Sequence, residues 1–459
     1  MAKLPTVAII GRPNTGKSTL FNRLIGKRRS IESDIAGTTR DLISHRVDLE
    51  NMSYLLVDTG GIGASADKDF EQDVAEQSLL ALEFADVIVF TVNAMEEITA
   101  DDRKIIENIR KKRRRHEPVI VALTKADTVE RRDALILDFH EMDIGEDILT
   151  LSAPHRIGIE ELNAAIVKHL KLLNFEKAAP VTGDQPPRIA IIGRPNVGKS
   201  SIVNALMSDS QREKSPLLVS PVAGTTRDSI DTEVTYHDKQ YIIVDTAGLR
   251  KQASRRDDDI ERFSTMRTLT AVEQADIVIL VLSAAEAPTQ QDKRIASMAI
   301  ESGKGLMILL NKIDTLRGEK RTDGIGFVTD TLHFVTKFAR VIPCSAKTRE
   351  GLVKLFDMVE AVQMSRVRRI PTNKLNRWFE ETVHGKPLGQ IARTKYLTQA
   401  DEIPPTFVLF VKNPRAVQVS QLRYLENQLR KTFGFDGTPI RFKVKPTEKE
   451  GFEKKRKIK

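Results

Sequence analysis

The sequence predicts an α/β protein built from two mostly parallel sheets, followed by a smaller α+β module. Two observations carry this prediction. Short apolar stretches alternate with helical patterns along most of the 459 residues. A set of short motifs also occurs twice in the same order, about 182 to 187 residues apart. Continuous apolar strands separated by helices are typical of parallel sheets whose faces are both covered.

The strands follow from the apolar stretches. The first repeat (residues 1–173) has candidates at 6–10, 43–49, 54–57, 86–92, 118–123 and 147–151. The second repeat (residues 188–365) has them at 188–192, 229–236, 241–244, 276–282, 306–310 and 340–343. Residues 174–187 hold three prolines without periodicity, which predicts an extended linker. The C-terminal module (residues 366–448) has helix candidates at 374–382 and 419–432 and strand candidates at 406–411 and 439–444, and residues 449–459 form a basic tail.

Composition excludes several classes of protein. The single cysteine, Cys344, rules out an intrachain disulfide and a multi-cysteine metal site, and we expect it to lie in the core. No apolar stretch reaches the ~18 residues that cross a bilayer. Apolar residues 6–10 follow the N-terminus too closely for a secretory signal. We therefore expect a cytoplasmic protein without a membrane partner.

Positive charge is concentrated at one end of the chain. The net charge is +9, yet residues 366–459 alone carry +13. A basic module on a near-neutral body favours a polyanionic partner such as nucleic acid. The candidate contacts are the tail and six module residues: Arg366, Arg368, Arg369, Arg441, Lys443 and Lys445. The cluster 111–115 is either a second basic surface or the cationic end of a helix.

Each repeat opens with a phosphate-binding loop. The pattern G-x-x-x-x-G-K-[ST] spans 11–18 and 193–200, after an apolar strand and before a helix. Its backbone N–H groups can cradle phosphate, its lysine can reach the β- and γ-phosphates, and its serine can bind Mg²⁺. The predicted nucleotide contacts are Gly11, Asn14, Thr15, Gly16, Lys17, Ser18 and Thr19, and Gly193, Asn196, Val197, Gly198, Lys199, Ser200 and Ser201.

Two further motifs complete a γ-phosphate site. The sequence AGTTRD contains Thr39 in the first repeat and Thr226 in the second, and a switch hydroxyl of this kind completes the Mg²⁺ shell. A DT-G motif follows another apolar strand. Its aspartate can bind Mg²⁺, and its glycine lets a backbone N–H approach the phosphate. The corresponding residues are Asp58, Gly61, Asp245 and Gly248.

The last motifs select the base. Asn311, Lys312 and Asp314 form NKID, whose carboxylate can accept from the N1–H and amino group of guanine. The first repeat reads Thr124, Lys125 and Asp127, so threonine replaces asparagine. The intervals agree, because 69 residues separate the aspartates of the DT and x-K-x-D motifs in both repeats. Serine–alanine loops follow the last strands, at Ser152 and Ala153 and at Ser345, Ala346 and Lys347.

Together these residues resemble the Era-like P-loop GTPases. The tandem arrangement, the GRPN loops and the C-terminal residues 424–429 and 437–441 are similar to one family, the bacterial double-GTPase ribosome-assembly factors called Der or EngA. The resemblance covers nearly the whole chain. It implies two GTPase domains, a KH-like third domain, GTP, GDP and Mg²⁺, and a role in maturation of the large ribosomal subunit through ribosomal RNA. We expect a monomeric GTP-hydrolysing switch whose two sites gate the basic module.

The resemblance also bears on catalysis. Ile62 and Leu249 occupy the position where many small GTPases carry a water-orienting glutamine. Family members with an apolar residue there are stimulated by K⁺, whose ligand is the loop asparagine. Asn14 and Asn196 match it, and the alternative is that they only stabilise the loop. Because Thr124 is shorter than asparagine, we expect weaker guanine affinity in the first repeat.

Three alternatives stay open. Residues 434–437 (GFDG) fit the GxxG loop of an RNA-binding KH domain, but they follow a helix and precede a strand, which favours a glycine helix cap. The chain could serve as a GTPase of another process, although no appended catalytic domain or membrane anchor is visible. It could also be an RNA-binding scaffold with structural nucleotides, which the two intact lysine, serine and aspartate sets disfavour.

Overall fold

The computed structural model describes residues 5–25, 43–49, 52–58, 85–112, 117–125, 129–142, 144–175, 186–210, 217–222, 231–244, 268–352, 354–394 and 397–446. These residues form two units, which divide at the predicted linker. The first unit contains the first repeat, and the second contains the second repeat together with the C-terminal module. Most of the predicted linker and the basic tail lie outside the described residues, and the domain boundaries stay predictions.

The first repeat contains a six-stranded sheet. Its strands are β1 Thr6–Ile10, β2 Ile43–Asp48, β3 Ser53–Asp58, β4 Val87–Asn93, β5 Val119–Thr124 and β6 Asp147–Leu151. Their order is β2-β3-β1-β4-β5-β6, and β2 alone among them runs antiparallel to its neighbour. The carboxyl ends of β1, β3, β4 and β5 therefore meet at one edge, where loop residues can converge.

Helices cover both faces of this sheet. They are α1 Lys17–Leu24, α2 Ala100–Lys112, α3 Val129–Glu141 and α4 Ile159–Leu172. Alternate residues of β1 enter different cores: Val7 packs in the cluster that includes Phe21 of α1, while Ala8 packs in the cluster that includes Phe139 of α3. Burial on both faces explains why β1 is apolar at every position.

The second repeat forms a seven-stranded sheet. Its strands are β7 Arg188–Ile192, β8 Leu217–Val222, β9 Asp231–Tyr236, β10 Lys239–Ile243, β11 Ile277–Ser283, β12 Gly305–Asn311 and β13 Val341–Pro343. The order is β13-β12-β11-β7-β10-β9-β8, with β9 antiparallel to both β10 and β8. Its helices are α5 Lys199–Ser210, α6 Gln290–Glu301, α7 Glu319–Thr331, α8 His333–Thr336 and α9 Leu355–Arg366.

Strand β8 is absent from the sequence prediction. It contains Pro221 and lies at the edge of the sheet, where a residue without an N–H group is tolerated. Proline disfavours a strand when the sequence is considered alone. The edge position of β8 explains why the structure accommodates it. The other predicted strands of this repeat are present, with ends shifted by up to two residues.

The C-terminal module is a three-stranded sheet covered by two helices. It consists of α10 Thr372–Val383, β14 Leu397–Glu402, β15 Pro405–Val411, α11 Val419–Phe433 and β16 Arg441–Pro446. The order is β14-β15-β16, antiparallel and then parallel. Strand β14 was not predicted, because its sequence LTQADE is largely polar. Trp378 lies in the core of the module, and Cys344 lies in a core of the second repeat, as predicted.

The module packs against the second repeat through the GFDG loop. Gly434 ends α11 with φ 83°, which confirms the helix-cap interpretation. The Gly437 N–H donates to the Phe338 carbonyl at 2.7 Å, and the Leu306 N–H donates to the Gly437 carbonyl at 2.6 Å. A Cβ on Gly437 would lie 2.3 Å from Val362 of α9. The loop is therefore part of an internal interface.

One predicted nucleic-acid contact is wrong. Arg366 is 2% exposed at the end of α9, and its guanidinium pairs with Asp276 at 3.3 Å. Arg368 is exposed and stays a candidate, although its guanidinium also donates to the Phe433 carbonyl and lies over the Phe435 ring. A buried cation such as Arg366 cannot contribute to a surface for RNA. The +13 balance of this end of the chain therefore overstates the free basic surface.

Candidate nucleotide sites

Each phosphate-binding loop joins the first strand of its repeat to the helix that its lysine opens. Gly11 has φ 148°, and a Cβ there would lie 2.4 Å from the Thr91 hydroxyl oxygen. Gly193 has φ 151°, and its Cβ would lie 2.4 Å from the Val281 carbonyl oxygen. Only glycine allows the loop to pass this close to the neighbouring strand. The remaining loop residues then curve back over the amino end of the helix.

The two loop lysines have the same geometry. Lys17 Nζ lies 2.8 Å from both the Gly11 and Arg12 carbonyl oxygens. Lys199 Nζ lies 2.8 Å and 2.6 Å from the Gly193 and Arg194 carbonyl oxygens. Burial lowers the pKa of each lysine to about 8. Both ammonium groups are thus held inside the loop, where a phosphate would approach.

Oxygen groups suited to a hard cation meet beside the first loop. The Ser18 hydroxyl donates to Asp58 Oδ2 at 2.9 Å, and Asp58 is fully buried at the end of β3. A hydroxyl and a carboxylate beside phosphate oxygens match the preference of Mg²⁺. The described ranges hold no group of three or more His, Cys, Asp or Glu that could bind a metal without a nucleotide. The Ser18 hydroxyl and the Asp58 carboxylate fit Mg²⁺ as an ion shared between protein and phosphate oxygens.

Sequence reasoning missed an arginine that anchors each loop. Arg12 Nε donates to Asp102 Oδ2 at 3.1 Å, and Arg194 Nε donates to Asp292 Oδ2 at 2.9 Å. Each aspartate is 0% exposed and lies in the first turn of a helix, α2 after β4 in the first repeat or α6 after β11 in the second. A second bond joins each arginine to a more exposed glutamate, Glu96 or Glu286. The repeated arginine and the repeated T-x-x-D were the available signal.

The asparagine of NKID holds two loops of the second repeat. Asn311 Nδ2 donates to the Val197 carbonyl of the phosphate loop at 2.9 Å. Its Oδ1 accepts from the Ala346 N–H at 3.1 Å. The Ser345 hydroxyl in turn donates to Asp314 Oδ1 at 2.6 Å. Asn311 is 2% exposed, so one buried side chain links the phosphate loop to the serine–alanine loop.

Thr124 reproduces half of this arrangement. Its hydroxyl lies 2.6 Å from the Thr15 carbonyl oxygen and so braces the phosphate loop. The side chain carries no second polar atom that could serve Ala153. Lys125 Nζ donates to the Asn14 carbonyl at 2.9 Å, so the second motif residue also contacts this loop. The structure therefore brings the predicted loops of the first repeat together, with a different connection between them.

Several predicted site residues lie outside the described residues. They are Thr39, Gly61, Asp127, Thr226, Asp245 and Gly248, together with Ile62 and Leu249. Gly16, Thr19, Gly198, Ser200 and Ser201 lie where the loops meet α1 and α5, as the motif predicts, and Lys312 and Lys347 lie in the loops after β12 and β13.

Comparison with known proteins agrees with this geometry. A family model described as "50S ribosome-binding GTPase" matches residues 6–125 and again 188–312. A second, described as "KH-domain-like of EngA bacterial GTPase enzymes, C-terminal", matches residues 369–445. GTPase Der of Lachnospira eligens is 41% identical over 444 residues, which cover 95% of this chain and 97% of that protein.

The chain belongs to the Der family of GTPases. Der of Geobacillus kaustophilus, 38% identical over 450 residues, covers 96% of this chain and 99% of its own length. Era of Aquifex aeolicus bound to GDP and aluminium fluoride is a solved structure with 24% identity and a TM-score of 0.30, covering 61% of this chain and 92% of that one. The two family-model matches show that the two repeats are GTPase domains and that the C-terminal module is KH-like. No helix in the described parts of the chain is long and apolar enough to span a membrane.

Proposed function

We propose that this GTPase is a switch in ribosome biogenesis, in which two GTP sites gate the KH-like module during maturation of the large subunit. The observation that carries the proposal is the pair of phosphate loops with matching lysine geometry in a member of the Der family. The family description, which names binding to the 50S particle, supports the choice of subunit. The protein acts in the cytoplasm as a monomer.

The loop residues bind and orient the phosphates. Lys17 and Lys199 transfer from loop carbonyls to the β- and γ-phosphates, and their charge stabilises the transferring group. Ser18 and Ser200 would hold Mg²⁺ together with Asp58 and Asp245, and Thr39 and Thr226 would join them when GTP is bound. A bound Mg²⁺ would neutralise charge on the phosphates. The N–H groups of Gly61 and Gly248 would donate to the γ-phosphate.

The base sites read guanine. The carboxylates of Asp127 and Asp314 accept from the guanine N1–H and amino group, and the backbone N–H groups of Ala153 and Ala346 meet the guanine oxygen. The bond from Ser345 to Asp314 supports this role, because it fixes the carboxylate beside the serine–alanine loop. Adenine lacks these donors, so a bound adenine nucleotide would leave the carboxylate without hydrogen-bond partners. The site would therefore bind guanine nucleotides about 10⁴-fold better than adenine nucleotides.

Potassium stimulates hydrolysis in this proposal. Asn14 and Asn196 have φ 64° and 63°, so both sit at the same left-handed position of their loops. As K⁺ ligands they would place positive charge over the β–γ bridge, as an arginine finger does. Turnover should therefore be faster in KCl than in NaCl at equal ionic strength. Equal turnover in the two salts would contradict this part of the proposal.

Strand β16 offers the basic surface for ribosomal RNA. Arg441, Lys443 and Lys445 alternate with the half-buried Phe442 and Val444, so the three cations share one exposed side of an edge strand. Cations on an edge strand can also serve to block edge-to-edge association. RNA contact predicts that the double reversal K443E/K445E weakens binding and flattens its salt dependence.

Co-sedimentation with purified ribosomal subunits tests the proposal. We expect binding to the large subunit with a non-hydrolysable GTP analogue and not with GDP, at near-physiological KCl, since low salt inflates electrostatic binding. Absence of binding in every nucleotide state would favour a GTPase of another process. Binding that ignores the nucleotide would favour an RNA scaffold.

A further inference from the structure

The serine–alanine loop of the first repeat is held from the helix that binds phosphate. Arg23 lies on α1, six residues after Lys17. Its Nε donates to the Ala153 carbonyl at 2.7 Å, and its Nη2 donates to the Pro154 carbonyl at 2.9 Å. These two carbonyls follow directly on the Ala153 N–H that is proposed to meet the guanine oxygen. One guanidinium thus fixes two consecutive peptide units of the base-recognition loop.

The serine–alanine loop of the second repeat is held by a different side chain. There Asn311 connects the phosphate loop and the serine–alanine loop through its two side-chain atoms. The position that matches Arg23 is Ala205, which is 6% exposed and packs in the core. Thr124 supplies the bond to the phosphate loop and cannot supply the other one. The first repeat thus has an arginine where the second has none, and it lacks the amide that the second uses.

The chemistry of arginine suits this task. A planar guanidinium presents two parallel N–H groups in fixed geometry, and hydrogen bonds from a charged donor are stronger than neutral ones. Arg23 is half-buried, so water competes less with these bonds than it would at the surface. Since Lys17 and Arg23 share α1, a displacement of the phosphate end of this helix would be transmitted to the base loop.

We propose that Arg23 is the positioning residue for guanine recognition in the first GTPase domain, replacing the half of the asparagine's role that Thr124 lacks. This inference rests on the proposed nucleotide contacts of Ser152 and Ala153. In the first repeat, α1 would connect the phosphate end of the site to the base end. In the second repeat, the side-chain amide of Asn311 would make this connection.

The test measures GDP binding by the first site in the full-length chain. A K199A background weakens the second site, so that a fluorescent GDP reports the first. Arg23→Met keeps the aliphatic stem and removes both donors, and should raise the Kd for GDP about tenfold, mainly through faster dissociation. Arg23→Lys keeps the positive charge but not the forked pair of donors, so its Kd for GDP should lie between those of the parent and Arg23→Met. Asn22→Ala, at an exposed neighbour on the same helix, is the matched control and should bind as the parent does.

A positioning role makes two further demands. Inorganic pyrophosphate, which has no base, should compete equally well in the parent and in Arg23→Met. Adding Thr124→Asn to Arg23→Met should restore most of the lost affinity, because the new amide can accept from Ala153 N–H. Unchanged GDP affinity, an equal loss for pyrophosphate, or failure of the second substitution to restore binding would each overturn the inference. A parent that binds no GDP at its first site would instead overturn the proposed function itself.

Discussion

The two GTPase domains of this chain have phosphate loops of the same geometry and differ in the side chain that connects each loop to the base-recognition loop. In the second repeat Asn311 reaches both Val197 and Ala346, whereas in the first repeat the Thr124 hydroxyl lies near the Thr15 and Val92 carbonyl oxygens. The neighbouring packing changes with it: the Thr15 hydroxyl lies 2.8 Å from that of Thr91, and the matching residues of the second repeat are valines. A substitution in a recognition motif is thus accompanied by polar changes around it.

The opposite edge of the two sheets differs as well. Asp86 and Asp276 each accept the backbone N–H of the first strand of their repeat, at 2.8 Å and 2.9 Å. In the second repeat Asp276 also pairs with Arg366, whose matching residue in the first repeat is Leu173. This edge of the second repeat contacts the KH-like module. The comparison teaches that a duplicated domain can keep its nucleotide edge and convert its other edge into a docking surface.

The largest effect should come from the phosphate lysines. Lys17→Ala and Lys199→Ala each remove a charge aimed at the developing phosphate charge, and should lower turnover at their own site by about 10² to 10³. Each single variant should keep the turnover of the other site, measured as phosphate release under saturating GTP. Substantial turnover in the double variant would contradict this role of the two lysines.

Removal of the buried arginine should cost the next largest amount. Arg366→Met leaves Asp276 without its buried partner and should lower the free energy of unfolding of the second unit by about 3 kcal/mol. Urea denaturation, monitored through hydrogen exchange of the β12 amides, measures this loss of stability. Leu173→Met at the matching position of the first repeat is the control and should cost less than about 1.5 kcal/mol. Equal losses would show that the charge pair adds nothing to the docking edge.

Converting the second base site to the first should weaken it moderately. Asn311→Thr keeps a donor for the Val197 carbonyl and loses the acceptor for the Ala346 N–H, so the Kd for GDP should rise about tenfold. Calorimetric titration in a Lys17→Ala background isolates this site. An unchanged Kd would mean that the bond to Ala346 has no part in base recognition.

The smallest effect concerns a polar cluster of the first repeat. Asp147 lies 3.0 Å from Lys168 Nζ and 2.6 Å from His169 Nε2. Burial opposes ionisation, but the hydrogen bonds from Lys168 and His169 outweigh it and lower the pKa of Asp147. Asp147→Asn should therefore lower the free energy of unfolding by about 1 kcal/mol at pH 7.

The pH dependence gives the sign of this contribution. A carboxyl group with a lowered pKa in the folded state binds fewer protons there than in the unfolded state, so its contribution is present above its ordinary value near 3.9 and is lost as pH falls below it. Hydrogen exchange of the β6 amides should show the difference in stability between parent and variant from pH 7 down to about pH 4, and the difference should narrow as the pH falls further. Asp138→Asn, exposed on α3, should change stability by less than about 0.5 kcal/mol.

Local pattern predicted most of the sites. The loop glycines, Lys17 and Ser18 follow from spacing and flanking strand and helix, because the phosphate loop is contiguous in the chain. Arg23 could not be recognised in this way, since its partners lie 130 and 131 residues away and are backbone carbonyls, which every residue has. Strand β14 was missed because its sequence LTQADE is largely polar, and β8 was missed because Pro221 disfavours a strand except at a sheet edge.

The sequence by itself determined the duplicated α/β fold, the two phosphate loops, the base motifs and the Der family. These are properties of short contiguous segments whose glycines, lysines and apolar periodicity admit few backbone conformations. The tertiary structure decided which charged side chains remain at the surface and which, like Arg366, are buried in ion pairs. It also decided which side chain holds each base-recognition loop. Those outcomes depend on distances between segments far apart in the chain, and charge count carries no information about such distances.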